Sequence, residues 1–195
     1  MRVVFINRRQ LGVTIILIGL MLILFVFEKN FDDKLKLTLL IQNDIKYMTQ
    51  YNTGVKDIIY KLPSEWENSV ENFSGGEILY HNDFQSDNSV IHGYVQVLNI
   101  KKDLKTYLDQ SRIISQKQNK IYNYNINTIK IKNYNGFLIN YKIESKSNLY
   151  ICNEYFVNVN GEIVRFSFFV RESNYKENMP TIFSTIVKTI DTYSQ

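Results

Sequence analysis

Residues 149–171 read LYICNEYFVNVNGEIVRFSFFVR, and this stretch decides the fold class. Asn160-Gly161 is a strong two-residue hairpin signal, because a type I′ turn needs positive φ at both central positions and Asn and Gly tolerate it. Antiparallel strands are therefore predicted over Leu149–Asn160 and Glu162–Arg171. In the second strand Val164, Phe166, Phe168 and Val170 share one face, and Arg165, Ser167, Phe169 and Arg171 share the other. The first of these faces is a core face.

Further strands are read on either side of the hairpin. Phe137–Glu144 alternates, with Phe137, Ile139, Tyr141 and Ile143 together. A strand within Tyr122–Lys132 is expected to end at Asn135-Gly136. Glu77–His81, Ile91–Ile100 and Lys56–Leu62 complete the set, the last stopped by Pro63. Two helices interrupt them. Asp103–Ser115 places Leu104, Tyr107, Leu108 and Ile114 near one face, with Asp103 as its N-cap. Glu177–Tyr193 repeats Met179, Ile182, Phe183, Ile186, Val187 and Ile190 at helical spacing, with Pro180 in its first turn. Strands joined by tight turns and interrupted by helices predict an α+β domain, an antiparallel β-sheet packed with helices, over residues 55–195.

Before that domain the pattern changes. Leu11–Phe27 contains no charge over 17 residues, and at about 1.5 Å per residue it approaches the thickness of a bilayer core. The absence of any polar face argues against a buried core helix. Arg2, Arg8 and Arg9 lie on its N-terminal side, whereas Glu28–Lys34 is mixed in charge. The positive-inside rule then makes residues 1–10 a cytoplasmic tail, 11–27 a transmembrane signal-anchor, and everything beyond extracytoplasmic. Residues 24–31 hold no small residue suited to signal peptidase, and no cysteine follows for lipid attachment, so the anchor is expected to stay uncleaved. Leu37, Leu40, Ile41, Ile45, Met48 and Tyr51 form a near-helical stripe, which predicts a helical stalk or linker over 28–54.

The 195 residues carry 23 Lys plus Arg against 19 Asp plus Glu, a net charge of +4. From residue 28 onward the balance is 20 to 19, so the overall charge describes no basic face to dock phosphates, which argues against a nucleic-acid module. The single cysteine, Cys152, excludes an intramolecular disulfide and a Cys-based zinc site. The chain has no alanine but 22 Asn, 25 Ile and 17 Lys, a bias of AT-rich codons that carries no functional message.

Three stretches carry a family resemblance. Tyr60–Trp66 (YKLPSEW), the hairpin with Tyr155-Phe156 and Phe166-Ser167-Phe168, and the closing Ile186-Val187-Lys188-Thr189-Ile190 resemble Mog1/PsbP-like domains. In that family they are the opening strand with its Pro-Ser-x-Trp turn, the middle hairpin and the terminal helix. The resemblance covers roughly residues 55–193 and implies a Mog1/PsbP-like sandwich. It also implies an accessory or binding role without a cofactor, and structural roles for Pro63 and Trp66; Gly161 is structural as the hairpin turn. The anchor and the composition resemble small envelope proteins of clostridia-like Gram-positive bacteria.

Chemistry-bearing residues are sparse. No G-x-S-x-G, H-E-x-x-H or P-loop is present. His81, Asp83 and His92 could ligate a metal if their strands pair, although two strand-surface histidines are the more ordinary reading. Glu65, Glu67 and Glu71 are read as solvating the turn around Trp66. Cys152 lies mid-strand, where a buried inert thiol is usual. Glu154 interrupts an apolar strand and could pair with Arg165 across the hairpin, the register being open. Tyr150, Tyr155 and Arg165 are the first candidates for a binding surface. The expected function is a membrane-anchored, extracytoplasmic, non-catalytic module that holds an envelope protein partner. Two alternatives stand beside it. One is a minor pilin-like subunit cut after Gly12, although Leu17 stands where pilins carry glutamate. The other is a metal-dependent envelope hydrolase centred on His81, Asp83 and His92.

Overall fold

The computed structural model describes Leu17, Ile18, Leu20, Met21 and Ile45, and then residues 47–193. The first four are helical. The rest of the Leu11–Phe27 segment, the 1–10 tail and most of the 28–54 stalk lie outside the described residues. Among the described residues no helix is long and apolar enough to cross a membrane.

Tight two-residue turns build the main sheet. Lys132 (φ 53°) turns the chain between β6 (Ile121–Ile131) and β7 (Tyr134–Ser145). Lys146 and Ser147 (φ 47° and 64°) turn it between β7 and β8 (Asn148–Val159). Asn160 and Gly161 (φ 52° and 87°) turn it between β8 and β9 (Glu162–Arg171). Left-handed residues, paired at 146–147 and 160–161 and single at Lys132, match the twist of a hairpin. The result is an antiparallel meander. The outer edge of β9 then takes β5 (Ile91–Leu98), followed by β4 (Ile78–Gln85) and β3 (Glu67–Glu71). The seven strands run in the order β3-β4-β5-β9-β8-β7-β6.

Each face of this sheet has its own cover. On one face Val164, Phe166, Phe168 and Val170 are fully buried. Phe168 stacks on Phe183 of helix α2 (Met179–Val187) with ring centroids 4.3 Å apart. Tyr60 meets Phe166 edge-on at 5.6 Å. Tyr60 belongs to a second sheet, in which β1 (Met48–Asn52), β2 (Ile58–Pro63) and β10 (Asp191–Thr192) run in the order β1-β2-β10. On the other face helix α1 (Leu104–Gln118) sets Leu108 among Leu98, Ile139, Phe156 and Ile163. Asp103 caps α1 by accepting the Thr106 N–H at 3.0 Å.

Several expectations change. Met48–Asn52 is a strand, not the end of a helical stalk, and it pairs antiparallel with β2. The open edge of β2 supplies backbone partners, and Tyr51 stacks on Tyr60 at 5.4 Å, so tertiary pairing outweighs the helical stripe. The terminal helix stops at Val187, and Asp191–Thr192 joins β2. Asn135-Gly136 lies inside β7, since the turn falls at residues 132–133. A Cβ at Gly136 would sit 2.2 Å from the Phe156 carbonyl oxygen, so the strand needs glycine there.

Candidate functional site

A row of polar side chains crosses the α1 face of the sheet. Glu71, His81, Gln96 and Arg165 are direct cross-strand neighbours on β3, β4, β5 and β9. Strand pleating places all four on one face. Arg165 donates from Nη1 to Gln96 Oε1 at 3.4 Å. The Gln96 amide nitrogen then faces His81 Nδ1 at 2.9 Å, and His81 Nε2 faces Asp83 Oδ2 at 3.0 Å. In the other direction Arg165 donates from Nε and Nη2 to Glu154 Oε2 at 3.0 and 2.7 Å. Tyr141 donates to Glu154 Oε1 at 2.6 Å. The chain Asp83–His81–Gln96–Arg165–Glu154–Tyr141 thus spans five strands.

Aromatic rings enclose the row. The Arg165 guanidinium lies over the Tyr94 ring at 4.9 Å and the Phe156 ring at 5.2 Å. His81 stacks on Tyr94 at 5.4 Å and meets Phe73 edge-on at 4.8 Å. Burial would by itself lower the Arg165 pKa, but the Glu154 carboxylate outweighs it and holds the guanidinium above its ordinary value. Burial first, and then the Glu154 charge, raise the Tyr141 hydroxyl. The same two causes push the Cys152 thiol up to about 12.

Among the described residues one trio could hold a cation: ligand atoms of Glu71, His81 and Asp83 lie within 4.8 Å of one another. His92 is not part of it. It is exposed and pairs with Gln85, further along the strand, so the expected His81–Asp83–His92 set does not converge. The hydrogen-bond chain also sets the His81 tautomer. Because Arg165 fixes the Gln96 oxygen, Gln96 presents N–H to His81 Nδ1, which accepts; the ring proton sits on Nε2 and is donated to Asp83. Binding a metal at Nε2 would require turning Gln96 and setting its amide donors against the Arg165 guanidinium. The trio is thus arranged as a hydrogen-bonded end of the row, not as a ligand set.

The other predicted residues separate. Tyr155 is buried at 4% exposure on the α2 face, where it meets Phe168 edge-on at 6.1 Å. Arg165 is on the opposite face, so the two cannot share a surface. Tyr150 is half-buried near the end of the β8–β9 hairpin, opposite Arg171. Trp66 is buried and stacks on Phe84 at 5.3 Å, Pro63 ends β2, and Gly161 occupies the hairpin turn. Glu67 and Glu71 lie on β3, not in a turn. The residues that sequence reasoning missed are Gln96, Tyr94 and Tyr141. For Tyr94 and Gln96 the signal was alternation with Gly93, Val95 and Val97 along β5, whereas Tyr141 shared an apolar face with Ile139 and Ile143 and gave none.

The sequence matches no family model and no curated protein. Among solved structures, the chain is similar to cyanobacterial PsbP (CyanoP) of a Synechocystis species, with TM-score 0.58 and 12% identity over 75% of this chain and 92% of that one. The fold is PsbP-like. A protein from Bacteroides thetaiotaomicron is also similar, with TM-score 0.52 and 10% identity over 75% of this chain and 48% of that one. At such identities the PsbP-like likeness shows the fold alone.

Proposed function

We propose that this chain is a membrane-anchored, extracytoplasmic accessory module that binds another envelope protein and catalyses nothing. One observation carries the non-catalytic part: the reactive groups of the polar row are already engaged. Glu154 accepts three donors, both His81 nitrogens have partners, and the Cys152 thiol is pushed up to about 12. A general base or nucleophile needs an open, poised group within reach of substrate. The anchor reading rests on the uncharged Leu11–Phe27 run behind Arg8 and Arg9. Exposed Val70, Phe73 and Leu79, at 55%, 46% and 41%, offer the β3–β4 hairpin as the first place to look for the partner contact.

Photo-crosslinking in intact cells tests the reading, with the crosslinker placed in turn at Phe73 and Leu79 of the full-length chain. One reproducible envelope protein, labelled from outside the cell and lost when Val70 and Phe73 are both made Ser, is the expected result. Full protection of the domain from external protease would overturn the topology. Hydrolytic activity of the pure protein, abolished by both His81→Ala and Asp83→Ala, would replace the accessory reading by an enzyme.

A further inference from the structure

Helix α1 is anchored by little of its length. Of its 15 residues only Leu108 is buried. Ile113 and Ile114 point to solvent at 56% exposure each, against the expectation that Ile114 faces inward. On the inward face Ser111 and Ser115 follow Leu108 at i+3 and i+7. Small polar side chains thus stand where a helix that only packs would carry large apolar ones.

The gap beneath them is a cavity of about 230 Å³ between α1 and the sheet. Tyr124, Tyr141 and Phe156 are its aromatic lining, and Arg165 and Glu154 line it too. It is larger than the roughly 150 Å³ apolar cavity that holds a benzene ring. A second cavity of about 370 Å³ adjoins it at Tyr107 and Arg165.

The polar groups decide what charge fits. Both Glu154 oxygens are occupied by donors. Arg165 has five N–H donors, of which two go to Glu154 and one to Gln96. Two remain, one on each terminal nitrogen, on a side chain 24% exposed and bordering both cavities. Outside the lining, the Arg112 guanidinium lies over the Tyr124 ring at 5.0 Å. Unused donors and flat aromatic walls call for an acceptor group on a flat apolar body.

We propose that this cavity binds a small aromatic carboxylate. Its ring packs among Tyr124, Tyr141 and Phe156, and its carboxylate accepts from the two open N–H groups of Arg165. The site is separate from the protein contact proposed above and does not depend on it.

Benzoate is the probe, titrated into the full-length chain in lipid nanodiscs and followed by isoleucine-methyl NMR, because Ile121 and Ile139 line the cavity. Benzoate should shift the Ile139 methyl saturably, with a Kd in the millimolar range or below and about tenfold tighter than benzyl alcohol or acetate. Arg165→Met removes the donors but leaves Glu154 buried without its partner. Ser111→Leu therefore serves as the second variant, filling the cavity from α1 while leaving the ion pair intact. It should keep the native far-UV circular dichroism and lose benzoate binding by about tenfold or more. No saturable shift at Ile121 or Ile139, or unchanged binding in folded Ser111→Leu, would overturn the site. Equal affinity for benzyl alcohol would overturn the carboxylate.

Discussion

Arg165 reaches diagonally across the β8–β9 ladder to Glu154, although its direct partner there is Phe156. Nε and Nη2 converge on one carboxylate oxygen at 3.0 and 2.7 Å. The Phe156 ring that is bypassed then lies against the guanidinium at 5.2 Å. The diagonal leaves Nη1 directed along the cross-strand row to Gln96, so the same side chain closes the ion pair and sets the His81 tautomer.

Removing one partner of this pair should cost far more than removing both. Glu154 is 5% exposed, so Arg165→Leu strands a buried carboxylate and Glu154→Leu strands a guanidinium between two rings. Each single change is expected to cost about 3–5 kcal/mol, and the double change less than either. Urea unfolding followed by the fluorescence of Trp66, the only tryptophan, reads all three. A double variant that loses the sum of the single losses would show that the two side chains act independently.

Trp66 begins a line of aromatic contacts into the core. It stacks on Phe84 at 5.3 Å, Phe84 lies 5.4 Å from Phe168, and Phe168 stacks on Phe183 at 4.3 Å. Trp66→Ala should cost about 3–5 kcal/mol, in line with buried aromatic truncations. Trp66→Phe, which keeps a ring against Phe84, should cost less. Far-UV circular dichroism in urea measures both. A loss below about 1 kcal/mol for the alanine variant would mean that the line starts at Phe84.

What the sequence made legible was local. Asn160-Gly161 specifies its turn by its own φ preferences, and β9 declares its core face by alternation. The α+β class and the PsbP-like order of elements follow from such signals. Edge strands were hidden. All five residues of β3 are exposed, so no alternation marks it, and β1 exists because β2 has an edge to fill. The strand expected to end at His81 runs on to Gln85, with Asn82 fully buried and Phe84 nearly so, because β3 and β5 flank β4 on both sides. The polar row was illegible for a related reason. Its members come from β4, β5, β7, β8 and β9, and only the registers between those strands place them together. Glu154 and Arg165 were suspected because one hairpin carries both. Gln96 and Tyr141 are joined to them by pairings that no short stretch encodes.

Cys152 links the polar row to the stability of the whole domain. It is fully buried, and burial followed by the Glu154 charge pushes its thiol from an ordinary 9.0 up to about 12. In the unfolded chain the thiol ionises near its ordinary value. Between roughly pH 9 and 12 the folded state therefore holds a proton that the unfolded state has lost, and stability falls as pH rises through that window. Below pH 9 both states hold the proton and the contribution is complete. Tyr94 and Tyr124, both raised mainly by burial from 10.0 to about 12, and Tyr60, Tyr141 and Tyr155, raised further by burial, add to the fall from about pH 9 upward. Between pH 9 and 10 the thiol contributes a slope of at most about 1.4 kcal/mol per pH unit, which is read as the difference between the parent chain and Cys152→Ala. Cys152→Ala should make the slope in that interval shallower by up to that amount and leave the steeper, tyrosine-driven loss above pH 10 unchanged. Thiol alkylation gives an independent reading, because Cys152 is the only cysteine. At pH 8 the folded protein should react with iodoacetamide only as fast as it unfolds, and urea should accelerate labelling in step with the unfolding transition. Labelling of the native chain at the rate of a free thiol, or a slope between pH 9 and 10 unchanged by Cys152→Ala, would show that Glu154 and burial do not hold this proton.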